Sequence, residues 1–195
     1  MKKITIICIF LAFSSAIIPL CLFYPETSET QNVNSQIEDT NIVFMNKTQE
    51  TQIIYEALKF SDEDFCDETL KALLVLVRNN LEVSGYENNT EDFENKAELQ
   101  ERLKNLLKST ETELLYKGKK VYIPLAELSS GYISTSDEYP YIKTTASPWD
   151  CLSPKFIYNK DYAPGISIYG IDYLCKEGLS SEEALTYYLE DFEIK

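Results

Sequence analysis

The chain has 195 residues, 32 acidic and 18 basic side chains and no histidine, which gives a net charge of −14. This length suits one domain with a hydrophobic core, and the acidic balance excludes nucleic-acid binding through a basic patch and disfavours anionic lipid headgroups. Because histidine is missing, Ser-His-Asp and Cys-His catalysis are excluded, and we predict neither a metal site nor another cofactor.

An apolar segment opens the chain, and we predict that residues 1–25 form a membrane anchor. Lys2 and Lys3 precede an uncharged apolar run from Ile4 to Tyr24, close to the ~20 residues of a membrane span and longer than the ~7–15 of a signal-peptide core. No small-x-small cleavage motif follows the run, so we favour an uncleaved anchor, with a cleaved signal as the alternative. The lysines predict a single-pass protein of the cell membrane with its domain on the extracytoplasmic side.

The predicted exported part consists of a spacer and one domain. Residues 26–48 are polar and are predicted to be the spacer, and residues 49–195 the domain. The domain holds Cys66, Cys151 and Cys175. A Cys151–Cys175 disulfide is a hypothesis that sequence spacing alone does not decide, so the disulfide state of the three cysteines stays open.

Apolar residues at helical spacing predict two helices. The first covers residues 67–81 and is opened by Asp67 as its N-cap. The second covers residues 96–109, and the polar, acidic residues 85–95 between the two predict a loop. The apolar faces of the two helices consist of Leu70, Leu73, Leu74, Val77 and Leu81, and of Leu99, Leu103, Leu106 and Leu107.

The spacing of apolar residues stops being helical after the second helix, and the new pattern predicts a β-hairpin over residues 113–128. Lys117 and Gly118 would form its turn, since glycine takes a positive φ without steric cost. Pro124 indicates that the second strand lies at an edge or ends early.

A pair of short helices is predicted to complete the domain. The first covers residues 165–174 and stops at Gly178, and the second begins with a capping box of Ser180 and Glu183. The predicted fold class is α+β, a single domain with helices around a small antiparallel sheet, preceded by the N-terminal transmembrane helix.

Catalytic chemistry is hard to locate from residue types alone. Hydrolysis of a glycan needs carboxyl groups whose environments separate their pKa values, and no sequence spacing reports that separation. No glycine-rich phosphate loop is present. Composition and periodicity therefore predict an exported, acidic α+β domain on a membrane anchor, without a reaction.

Three stretches add information: YPYIKTTASPWD, GISIYGIDYLCKEGLSSEEALTYYL and the helix ETLKALLVLVRN. In order and approximate spacing they resemble the stage II sporulation protein D family, which also includes the LytB amidase enhancers. The resemblance extends over residues 53–194. The residues that carry it are Pro140, Tyr141, Ser147, Pro148, Trp149, Asp150, Gly165, Ser167, Tyr169, Gly170, Lys176, Gly178, Glu182, Glu183, Tyr187 and Tyr188, with Glu68, Leu70, Lys71, Ala72 and Arg78 upstream.

The resemblance implies a lytic transglycosylase of peptidoglycan that acts in spore formation or cell-wall remodelling, with a glutamate as general acid and then base. A gapless match places Phe60 at that glutamate, and Glu56 and Glu63 are the nearest substitutes. Tyr162 and Glu127 stand where the family has histidine, and residues 85–95 lack its cysteine-histidine metal-binding segment. These departures imply weak or lost catalysis, with Glu56 as the substitute candidate for the catalytic residue.

Two interpretations of the retained residues remain. In the first, a set of side chains lines a groove that binds glycan. In the second, the same residues pack the core, and Trp149 holds the segment that enters the last helices. The predicted glycan-binding set is Ser130, Gly131, Trp149, Ser167 and Tyr169.

The resemblance also implies the partners, which would be peptidoglycan glycan strands or wall-remodelling proteins. We therefore expect a membrane-anchored, peptidoglycan-associated protein with weak or lost catalysis. A non-enzymatic scaffold of a wall-remodelling complex is the alternative, and an active enzyme with a relocated carboxylate is a third possibility.

Overall fold

The computed structural model describes residues 47–86, 96–158 and 160–195. The predicted anchor, most of the predicted spacer and most of the predicted acidic loop lie outside these residues. Within the described part of the chain, no helix is both long and apolar enough to cross a bilayer. The α-helices are α1 (Lys47–Phe60), α2 (Asp67–Ser84), α3 (Ala97–Leu107), α4 (Ile168–Lys176) and α5 (Ser181–Tyr188), and a 3₁₀ helix covers Pro148–Leu152.

Helix α2 lies at the centre of the domain, where α1, α3, α4 and α5 all pack against it. Every residue from Ala72 to Val77 is buried. A helix that is apolar on all sides belongs in a core rather than at a surface, which explains this position. The predicted helices over residues 67–81 and 96–109 are thus confirmed, whereas α1, which begins inside the predicted spacer, was not predicted.

The predicted N-cap of α2 is wrong. Asp67 is the first residue of the helix, and Cys66 occupies the N-cap position without a capping bond from its side chain. Close to this helix start, Asp172 Oδ1 of α4 accepts hydrogen bonds from the Thr69 hydroxyl at 2.9 Å and from the Cys66 amide at 3.4 Å. The start of α2 is therefore fixed by a residue far along the chain.

The strands form three separate two-stranded ladders among the described residues. Strand β1 (Leu114–Tyr116) pairs antiparallel with β6 (Phe192–Ile194), and β3 (Tyr132–Ile133) pairs antiparallel with β4 (Thr145–Ala146). Strand β2 (Leu125–Ala126) pairs in parallel with β5 (Ile166–Ser167). The α+β class is confirmed, but the small antiparallel sheet is wrong, because one ladder is parallel and the ladders do not join.

The predicted hairpin keeps its turn and its first strand, but that strand, β1, pairs with β6 and not with the residues after the turn. Lys117 and Gly118 both have positive φ, and the flanking Tyr116 and Lys119 exchange backbone hydrogen bonds of 2.8 and 3.1 Å. Within the predicted second strand, Leu125–Ala126 form β2 and pair with β5, while helix α2 binds the backbone of Ile123 just before it. Asn80 donates from Nδ2 to the carbonyl of Ile123 at 2.6 Å and accepts the Ile123 amide at 2.7 Å.

The pair of helices near the C-terminus is confirmed, but its first helix begins at Ile168 and not at residue 165. Gly165 precedes strand β5, and a Cβ at this position would lie 2.8 Å from the carbonyl carbon of Leu125, so glycine is needed for the close approach of the two segments. The stop at Gly178 and the capping box of Ser180 and Glu183 are both present.

The structure does not pair Cys151 with Cys175. Cys151 is exposed, Cys175 is buried, and both are free thiols, as is Cys66. The hypothesis of a Cys151–Cys175 disulfide is therefore contradicted.

Candidate functional site

A pocket of about 360 Å³ lies between α1, the C-terminal half of α2 and the segment that leads into β2. Its walls combine aromatic and aliphatic side chains with amides, a hydroxyl and one carboxylate. The lining residues are Gln52, Glu56, Phe60, Val77, Asn80, Leu81, Ser84, Gly85, Tyr122 and Leu125.

Glu56 and Phe60, one helical turn apart on α1, both line this pocket. Glu56 Oε1 lies 2.7 Å from the Lys59 ammonium, and the carboxylate is about one-third exposed. Glu63, the other substitute predicted for the catalytic residue, is an exposed residue beyond the end of α1 and does not line the pocket. The prediction that Glu56 lies beside the position of Phe60 thus agrees with its place in the structure.

A row of aromatic rings leads away from the pocket at Tyr122, which is 40% exposed. Ring centroids follow at 6.1 Å to Tyr139, 6.2 Å on to Tyr141, 5.6 Å on to Tyr116 and 5.4 Å on to Phe192. We call these five residues the aromatic row. Sequence reasoning missed this row, and the only signal for it was the abundance of tyrosine, with 14 in the chain.

Hydrogen bonds fix the middle of the aromatic row. The Tyr141 hydroxyl donates to the carbonyl oxygen of Tyr122 at 2.6 Å, which ties the row to the pocket wall. The Tyr139 hydroxyl donates to Glu138 at 2.8 Å, and this bond to a carboxylate raises the pKa of Tyr139 to about 12. The phenol therefore stays neutral at physiological pH.

Trp149 lies in a different cluster, on the 3₁₀ helix. Its indole ring stacks on Tyr173 with parallel planes and a centroid distance of 5.4 Å. Its Nε1 donates to the buried Tyr188 hydroxyl at 3.1 Å, and that hydroxyl also shares a 2.8 Å hydrogen bond with Ser147. Trp149 therefore attaches the 3₁₀ helix to α4 and α5, as the packing interpretation predicted.

The neighbouring Asp150 is fully buried and joins three segments of chain. Its carboxylate accepts hydrogen bonds from the amide and the hydroxyl of Ser129, and from the Ser167 hydroxyl at 2.9 Å. Burial raises the pKa of Asp150 above the usual range for an aspartate. We assign this residue to the architecture rather than to catalysis, because protein groups surround it.

Ser167 does not fit its predicted role in glycan binding. It is 0% exposed, and its hydroxyl accepts the Gly170 amide at 2.9 Å as the N-cap of α4 while donating to Asp150. Ser130 is exposed, and Tyr169 is half-buried, with its amide bonded to the carbonyl of Glu127.

Gly131 is half-buried with a φ of 96°, and a Cβ there would lie 3.2 Å from the Cys151 sulfur. The pocket lining includes none of the five residues predicted to bind glycan. The predicted groove residues and the pocket are therefore separate features of the domain.

Tyr162 and Glu127, at which the resemblance alone leads one to expect histidine, both make structural contacts. The Tyr162 hydroxyl accepts the Ile157 amide at 2.6 Å, and its ring stacks on Phe156. Glu127 pairs with Lys155 at 2.7 Å, and this carboxylate raises the pKa of the lysine. In the described ranges, no three Asp, Glu, Cys or His side chains are grouped to hold a metal ion.

A scan of protein-family models found no match to this chain, and a search of curated proteins found none either. Its function is therefore inferred from the pocket, the aromatic row and the motifs.

Proposed function

We propose that this chain is an exported, membrane-anchored protein that binds the glycan strands of peptidoglycan and has lost lytic transglycosylase chemistry. The proposal combines the resemblance to the stage II sporulation protein D family with one observation. Phe60, which stands at the position of the family's glutamate, lines the pocket, and an apolar ring can neither give nor accept a proton.

The remaining carboxylate of the pocket is poorly suited to replace that glutamate. Glu56 Oε1 is bonded to the Lys59 ammonium at 2.7 Å, so one of its two oxygens already has an ionic partner on α1. Glu56 is the one carboxylate among the lining residues, and the chain has no histidine. The chemistry that the resemblance implies uses one glutamate as general acid and then base, so Glu56 is the residue whose role the test must decide.

Binding without cleavage remains chemically reasonable at this pocket. A volume of about 360 Å³ lies within the ~300–1,000 Å³ typical of small-ligand sites. Phe60 and Tyr122 offer ring faces for the apolar faces of sugars, while Asn80 and Ser84 offer polar groups. The aromatic row begins at the exposed Tyr122 and continues through half-buried rings, so Tyr122 is the ring of the row that is most open to a glycan strand.

The test uses the purified full-length chain in mild detergent with denuded glycan strands. We expect strands to co-sediment with the protein and no anhydro-muramyl ends to appear. Tyr122→Ala should weaken binding at least several-fold, whereas Tyr132→Ala, which changes a 53% exposed tyrosine outside the pocket and the row, should not. Anhydro-muramyl products that disappear in Glu56→Gln would show an active enzyme, and failure of the strands to bind would refute the proposal.

A non-enzymatic scaffold is the second candidate, and one observation favours it. Leu152, Ile157 and Tyr158 are 71%, 58% and 82% exposed within one short segment, and a local group of exposed apolar side chains is typical of a protein-binding surface. Co-purification of wall-remodelling proteins from detergent extracts, lost when these three residues become serine, would favour the scaffold. Unchanged wall binding without any protein partner would count against it.

A further inference from the structure

Several hydrogen-bond donors in the α2 wall of the pocket are already used inside the protein. Asn80 is held on both sides by Ile123, because its Nδ2 donates to the Ile123 carbonyl at 2.6 Å and its Oδ1 accepts the Ile123 amide at 2.7 Å. The Ser84 hydroxyl donates to the carbonyl of Asn80 at 2.8 Å. The Gly85 amide donates to the carbonyl of Leu81 at 2.9 Å. These groups therefore have little left to donate to a ligand.

Two acceptors of the pocket stay open. Glu56 Oε1 lies 2.7 Å from Lys59 Nζ, whereas its second oxygen, Oε2, has no hydrogen-bond or ionic partner in the described part of the chain. The Ser84 oxygen keeps lone pairs for a ligand, because this hydroxyl is used as a donor. A ligand that fits these groups must bring its own donors.

The charge and the rings of the pocket favour a donor that is positively charged. Glu56 is the one carboxylate among the described lining residues, and no lysine or arginine is among them. Phe60 and Tyr122 add ring faces, which attract a cation that lies within about 6 Å of the ring centroid. A primary ammonium group matches these features, because it carries a positive charge and three N–H donors.

Two ammonium groups of the chain itself are already held by such partners at or near the pocket. Lys59 Nζ bonds the carboxylate of Glu56 at 2.7 Å. Lys117 Nζ lies 4.9 Å from the ring centroid of Tyr116, which belongs to the aromatic row. The carboxylate of the pocket and a ring of the row are thus both groups that hold an ammonium in this structure.

We propose that the pocket binds a primary ammonium group, and that along a glycan strand it selects glucosamine units with a free amine over units with an acetylated amine. This inference rests on the proposed function and deepens it by naming the form of the sugar. The free amine would donate to Glu56 Oε2. An acetylated amine is neutral, has a single N–H and adds a carbonyl acceptor, while the donors of Ser84 and Gly85 are already engaged.

The test compares two soluble probes, a glucosamine pentamer and an N-acetylglucosamine pentamer. Each is titrated into the full-length chain in mild detergent at about pH 6, where such an amine is protonated, and binding is followed by calorimetry. We expect the glucosamine pentamer to bind about fivefold more tightly or better, the size expected for a partly exposed ion pair. Glu56→Gln should remove this preference, because a neutral amide attracts an ammonium less than a carboxylate does.

Two further variants separate the pocket from the general negative charge of the chain. Glu111→Gln removes one exposed carboxylate outside the pocket and changes the net charge by the same amount as Glu56→Gln. It should leave the preference unchanged. Lys59→Met releases the second oxygen of Glu56, so it should strengthen binding of the glucosamine pentamer several-fold without affecting the acetylated pentamer.

A pH series on the unmodified chain keeps the test valid if a variant fails to fold. Binding of the glucosamine pentamer should weaken as its amines lose their protons, while binding of the acetylated pentamer should stay constant. Equal binding of the two pentamers, or a preference that survives Glu56→Gln, overturns the inference. If denuded strands co-sediment but neither pentamer binds, this inference alone fails. If the strands do not bind either, the proposed function fails with it.

Discussion

A substitution of Gly170 by alanine should show how closely three polar groups meet on helix α4. A Cβ at this position would lie 2.6 Å from Ser147 Oγ, 3.0 Å from Trp149 Nε1 and closer still to the Tyr188 hydroxyl. The φ of Gly170 is not among the positive values found in this domain, so the added methyl group causes no backbone strain. The cost comes from the three side chains that must move.

The expected size of the effect follows from three contributions. Overpacking of a filled site costs ~1–3 kcal/mol, and displacement of the Tyr188 hydroxyl weakens its bonds to Ser147 and Trp149 at ~1 kcal/mol each. Alanine in a helix returns ~1 kcal/mol relative to glycine. Gly170→Ala should therefore lower the free energy of unfolding by about 3 kcal/mol, and the melting temperature by roughly 6–12 °C.

A double-mutant cycle tests this reasoning. Tyr188→Phe removes the hydroxyl nearest to the new methyl group, so Gly170→Ala should cost about 1 kcal/mol in that background, a coupling of about 2 kcal/mol. The assay is urea unfolding followed by far-UV circular dichroism on the four chains. Tyr187→Phe is the matched control, because its hydroxyl bonds the Ala146 carbonyl instead and should couple weakly to Gly170. Additive effects of Gly170→Ala and Tyr188→Phe would refute the reasoning.

Three further substitutions test other contacts by the same unfolding assay. Asn80→Ala should destabilise the domain by about 2–4 kcal/mol, because the buried amide and carbonyl of Ile123 both lose their partner; an effect below ~1 kcal/mol would contradict this role. Ser180→Ala should cost about 1 kcal/mol through loss of the capping box with Glu183, and no change would mean that this helix start is held by other contacts. The pKa of Asp150 is raised in the folded state, so protonation of this carboxyl group favours the fold. The native chain should therefore gain stability relative to Asp150→Asn as the pH falls from the raised pKa towards the unfolded value of ~3.9. The destabilisation caused by Asp150→Asn should thus be larger at pH 4 than at pH 7.

The helices of this domain could be predicted because their signals are local. Apolar periodicity located α2 and α3, and the capping box of Ser180 and Glu183 located the start of α5. The helix α1 was missed because it follows a polar spacer without a clear boundary. The predicted N-cap of α2 was one residue too late, because the helix already includes Asp67 and Cys66 occupies the cap position.

The strands could not be predicted in the same way, because their partners are distant in sequence. Nothing near β1 indicates that Leu114 pairs with Ile194. The second strand of the predicted hairpin failed for a related reason, since the amide side chain of Asn80 on a helix replaces a neighbouring strand. Such a contact has no periodic signature.

The residues considered for the site differ in how the structure places them. Phe60 and Glu56 were identified from the register of the motif, and both line the pocket. Tyr122 and the rest of the aromatic row were missed, because ring contacts between distant segments leave no spacing to detect. Ser167 was assigned to a groove although its hydroxyl caps a helix, and a serine before a helix favours that role from sequence alone.

The meeting of Ser147, Trp149 and Tyr188 over Gly170 also has a consequence for evolution. A change at one of these positions alters the space left for the other three, so they should vary together among descendants rather than singly. Selection for folding is then sufficient to preserve the Ser-Pro-Trp-Asp stretch, whatever the domain binds. The presence of this stretch in a sequence is therefore a statement about packing, and it carries no information about catalysis.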